Sequence, residues 1–127
     1  LDIAKQDHLK PLVDIPKLAD QAKRMVKMAI DAFVKKDQAI AKDVILSDKE
    51  SNNLRTQVIK ELIDDYMVKD GSTVPRAVPL LLITRDLERI CDHAVSIAED
   101  VIYMIRAKIV KHHRERLTAI DVPDEIA

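Results

Sequence analysis

The residues best suited to chemistry lie in one stretch near the end of the chain, Thr84-Arg-Asp-Leu-Glu-Arg-Ile-Cys-Asp-His-Ala-Val-Ser-Ile-Ala-Glu99. At about 100° per residue, Leu80, Ile83, Leu87, Ile90, Cys91, Ala94, Ala98, Val101 and Ile105 gather into one apolar stripe. Glu88, Asp92 and Glu99 fall about 100 to 140° from Leu87, along the flank of that stripe and not opposite it. Carboxylates aligned in this way repel one another unless positive charge stands between them. A metal ion, or a row of Arg and Lys, would supply it.

Long helices are needed to hold such a row, and the composition provides for them. Of 127 residues, 47% are hydrophobic and 34% charged, with one Gly, no Trp, one Phe and two Tyr. A sheet protein would need more turn glycines and more aromatic and β-branched residues. Leu18, Ala19, Ala22, Met25, Val26, Ala29, Ile30 and Phe33 recur at steps of three and four, which predicts an amphipathic helix with Pro16 near its start. Lys35 and Lys36 suit its end, and Asp37 suits the cap of the next. A second helix is predicted over 38–69, with Ile40, Val44, Leu54, Val58 and Leu62 on one face and Ser47 and Ser51 interrupting it. Asp70-Gly-Ser-Thr-Val-Pro75 supplies a terminal Gly, a Ser or Thr cap and an early Pro for a third helix over 75–113, with Pro79 close enough to its start to be tolerated. The expected fold is all-α: an antiparallel three-helix bundle over 15–113, preceded by a strap (1–14) and followed by a tail (114–127).

This arrangement brings a second polar cluster into play. Asp48 and Asn52 lie about 80° and 120° from the centre of the second helix's apolar face. Counting from the turn at Gly71, Asn52 and Asp92 stand at equal depth, about 25 Å along their helices at about 1.5 Å per residue. Asp48, Asn52, Glu88 and Asp92 could thus frame one patch of oxygen ligands suited to hard or borderline cations. The competing reading is a solvated acidic face paired with Arg85, Arg89 and Arg106, with Ser47, Ser51 and Asn52 forming a local bend or a buried hydrogen-bond network. His8, His93, His112 and His113 read as surface residues.

Other functions are disfavoured. The 21 basic and 22 acidic residues nearly cancel, and aromatic platforms are absent, which argues against nucleic acid. No apolar run reaches the length of a membrane span. There is no Glu-x-x-His pair for a di-iron bundle, no Gly-rich phosphate loop, and no nucleophile with a base beside it, so no enzyme is expected. A single cysteine, Cys91, placed on the apolar stripe, fits a packing role in a reducing compartment, and the cytoplasm is the expected location. Leu1 in place of an initiator Met is expected to mark a domain of a longer protein.

Leu80 to His112 resembles the third helix of a repeat in the PhoU family of phosphate-uptake regulators, through Glu88-Arg-Ile-Cys-Asp-His-Ala94 followed by Ile97-Ala-Glu99. Lys10-Pro-Leu-Val-Asp-Ile-Pro16, Ala32-Phe-Val-Lys-Lys-Asp37 and the stretch from Val58 to Leu62 resemble further segments of the family, in the same order. The resemblance spans about residues 9–113 and implies the C-terminal member of two tandem three-helix repeats. It also implies a multinuclear Fe or Zn cluster on paired acidic motifs, carried over to Asp48, Asn52, Glu88 and Asp92, with Asn52 standing where the family usually has Asp. The implied role is negative regulation of phosphate uptake and phosphate-responsive signalling, through a phosphate-specific ABC transporter and its sensor histidine kinase. Self-association is left open. Two alternatives stand beside it: a module fused to a sodium-dependent phosphate transporter, and a purely structural bundle whose acids form salt bridges only.

Overall fold

In the computed structural model, which describes residues 10–118, three helices run up, down and up again: α1 (Lys10–Lys35), α2 (Gln38–Lys60) and α3 (Val74–Thr118). Each packs against the other two, and no strand occurs among the described residues. The expected all-α three-helix bundle is the fold that forms. Most of the expected strap and tail, residues 1–9 and 119–127, lies outside the described residues.

Helix α1 begins at Lys10, earlier than its periodicity suggests, so Pro16 stands inside it. Proline there deprives the Leu12 carbonyl of its usual N–H partner. Pro16 stands in the second turn of α1, on its exposed side. The turn to α2 falls where expected. Lys36 adopts a left-handed φ of 53°, which lets the Asp37 N–H reach the Ala32 carbonyl at 2.9 Å. Asp37 then caps α2, its Oδ1 accepting from the N–H groups of Ala39 (2.9 Å) and Ile40 (3.1 Å).

The second turn departs from expectation in two ways. Beyond α2 the chain widens into a π-helix over Glu61–Met67, and the Val68 N–H bonds the Ile63 carbonyl at 2.9 Å. Gly71 is not left-handed; it opens a 3₁₀ turn, Gly71–Thr73, capped by Asp70. Asp70 Oδ1 accepts from the Ser72 hydroxyl (2.7 Å) and the Ser72 N–H (3.0 Å), and these bonds hold its carboxyl below the usual range. Asp70 thus caps the 3₁₀ turn that leads into α3.

Two apolar clusters fill the interior. One holds Met25, Ala29, Ala32, Ala41, Val44, Cys91, Ala94, Ala98 and Val101; the other, toward the second turn, holds Ile15, Val58, Leu62 and Ala77. Along α2 and α3, the stretch between them carries the buried polar residues Ser51, Arg55 and Thr84. The buried stripe of α3 runs through Thr84, Cys91 and Ala98, while Ile83 and Ile90, expected within it, are 45% and 40% exposed. Relative to the reading centred on Leu87, the helix is rotated by roughly 30° toward its acids. On α1, likewise, Ala32 is buried and Ile30 and Phe33 are half exposed, lining a shallow groove with Ile97, Asp100 and Met104.

Leu62→Ala should cost about 2 to 5 kcal/mol, because a fully buried side chain leaves a cavity. Ile83→Ala should cost less, roughly 1 kcal/mol, since nearly half of that side chain already lies in water. Urea denaturation of both variants checks this; equal losses would place the α3 stripe back on Ile83. Lys36→Gly should stabilise by roughly 0.5 to 1 kcal/mol, the left-handed strain on lysine exceeding the backbone entropy that glycine adds to the unfolded chain. The same measurement reads it, and a loss of stability would show that the turn is unstrained.

Candidate cation site

The polar waist brings the acids of α2 and α3 together around one side chain, Arg55. Seven residues after Asp48 and three after Asn52, Arg55 points inward from α2 and is only 5% exposed. Its Nη2 donates to Asn52 Oδ1 and lies 3.7 Å from Glu88 Oε2, and its Nη1 lies 3.8 Å from Asp48 Oδ1. One guanidinium therefore faces three of the four residues singled out in the sequence. Asp92 is exposed, one turn further along α3, and near enough to act electrostatically on Cys91.

The environment grades from dry to wet across this network. Arg55 is enclosed, the Asp48 side chain is 21% exposed, and that of Glu88 is 44% exposed. The Glu88 contact is accordingly screened and weak. The Asp48 end is not: Asp48 Oδ1 and Arg55 Nη1 are both shut off from solvent and lack a hydrogen bond. Removing one partner from a buried pair typically costs about 3 to 5 kcal/mol, because the other is left as an uncompensated charge.

Beside the guanidinium the three helices meet through small polar and sulfur groups. Ser51 Oγ bonds Met25 Sδ of α1 (3.3 Å) and the Ser47 carbonyl (3.4 Å), and Gln21 Nε2 of α1 donates to the same carbonyl at 3.3 Å. The interruption of the α2 stripe by serine is thus a buried hydrogen-bond network. Burial pushes the Cys91 thiol above its ordinary pKa; a hydrogen bond with Ser51 and the charge of Arg55 pull it down, while Asp48 and Asp92 add to the rise. Such a thiol stays protonated at neutral pH and packs as a small apolar group.

A metal ion does not fit this donor set while Arg55 holds its place. Guanidinium cannot be deprotonated in a protein, and a cation bound by Asp48, Asn52 and Glu88 would lie against it with like charge. Among the described residues, no group of three or more His, Cys, Asp or Glu side chains is arranged to hold a metal ion. Arg55 escaped the sequence reading, although a signal was present: it lies four residues after Ser51 and three before Val58, on the buried face itself.

The PhoU domain family model matches residues 15–101, which takes in both acidic motifs and the whole waist. The chain is 36% identical over 108 residues to the phosphate-specific transport system accessory protein PhoU homolog of Pseudomonas putida, covering 84% of this chain and 42% of the relative. It is 36% identical over 110 residues to the homolog of Aquifex aeolicus (87% and 49%), and 32% identical over 117 residues to homolog 2 of Thermotoga maritima (92% and 49%). The chain thus spans less than half the length of these relatives. No solved structure matches it. A domain-long family match, together with this identity across nearly the whole chain, makes the chain a member of the PhoU family.

Proposed function

We propose that this chain is the regulatory domain of an accessory protein of a phosphate-specific ABC transporter, acting in the cytoplasm as a negative regulator of phosphate uptake and of the sensor histidine kinase that reads it. The observation that carries this reading is the family match over residues 15–101, with relatives named as accessory proteins of phosphate-specific transport. The mode of action is binding. No helix of the described residues is long and apolar enough to cross a membrane, which suits a domain that meets the transporter from outside the bilayer. The exposed apolar groove of Ile30, Phe33, Ile97 and Met104 suits a role carried out through contacts between proteins.

In cells grown with ample phosphate, loss of the intact protein that carries this domain should raise expression of phosphate-starvation genes, and reintroducing it should restore repression. A tagged copy should co-purify with the transporter's subunits from detergent-solubilised membranes. Unchanged expression in the deletion strain would overturn the reading. Membrane spans encoded immediately before Leu1 would move the domain to the alternative, a module fused to a sodium-dependent transporter.

A further inference from the structure

We infer that Arg55 is the built-in cation of the acidic patch, so that a divalent metal ion and the Arg55 guanidinium are alternative occupants of one position. Three observations support this. Arg55 is 5% exposed, and its guanidinium contacts Asp48, Asn52 and Glu88 together. Its Nη1 faces Asp48 Oδ1 at 3.8 Å with both atoms shut off from water and without a hydrogen bond, so this pair is held by charge alone. The charge balance also favours an internal cation: Asp48, Glu88 and Asp92 carry three negative charges, and Arg55 reduces them to two. An acid at position 52 with no arginine at 55 would make the patch twice as negative, at four. Asn52 and Arg55 therefore shift the patch in one direction, away from a multivalent cation.

The chemistry of the side chain makes this occupancy persistent. A lysine or histidine could give up its proton and leave the acids to a metal, whereas guanidinium keeps its charge at every physiological pH. It can leave only by swinging its stem out of the bundle, exposing buried surface and parting from Asn52. Asn52 favours the guanidinium in a second way. Its carbonyl oxygen is a sufficient acceptor for an N–H donor, but it brings no charge to attract a metal.

The test uses the full chain and Zn²⁺, Mn²⁺ and Fe²⁺ as probes, with affinity read by calorimetry and stability by thermal unfolding with and without metal. The wild-type chain should bind weakly and show no metal-dependent rise in melting temperature. Arg55→Met, which keeps most of the volume and removes the charge, should bind at least about tenfold more tightly and be stabilised by metal, and Glu88→Gln in that background should abolish the gain. Tight binding by the wild type that Arg55→Met leaves unchanged, or no gain in the variant, overturns the inference. Asn52→Asp tests it without removing the buried arginine. If Arg55 is the resident cation, a carboxylate at 52 strengthens its contact and raises the melting temperature in the absence of metal. If the melting temperature falls without metal and recovers with it, the patch belongs to the metal and the inference fails.

Discussion

The interaction on which this structure turns is the burial of one guanidinium between two helices. A charge that cannot be neutralised by losing a proton must be met by oxygen, and it must be met where it stands. Arg55 reaches Asp48 and Asn52 from its own helix and Glu88 from α3. Two of these contacts lie within α2 and fix the guanidinium in place, and the water-screened arm to Glu88 is the one that crosses to α3. The apolar clusters on either side hold the helices together and supply the bulk of the burial.

Much of this was legible in the sequence. Steps of three and four in α1, the Lys-Lys-Asp turn and the break near Gly71 are local signals, written in residues close together in the chain, and the helices turn at both places. The equal depths of the two acidic motifs followed from helix rise alone, and the structure brings Asp48 and Glu88 to one side chain. What could not be read depended on neighbours far along the chain. Arg55 resembles any of the many charged residues until α3 is set against it, and the rotation of α3 toward its acids becomes visible only once Ile83 and Ile90 are seen to face water. Local departures had other causes. The widening at Glu61–Met67 and the Asp70-capped turn at Gly71–Thr73 were not anticipated from residue types.

Membership of the PhoU family and the details of the waist bear on one another. The family match covers the residues that build the patch. Within it, Arg55 bonds Asn52 and links the two facing acidic motifs through Asp48 and Glu88.

The alanine content of the upper core has a consequence for how such a domain can vary. Ala22, Ala29, Ala32, Ala41, Ala94 and Ala98 are all essentially inaccessible to solvent. Trimming any of them to glycine removes one methyl group, whereas any larger side chain must be accommodated where helices already approach closely. Alanine at these positions is therefore bounded on both sides, since glycine in a helix interior costs about 1 kcal/mol. Serine and cysteine, the next smallest residues, stand at 51 and 91 where the three helices meet, so small size extends beyond the alanines.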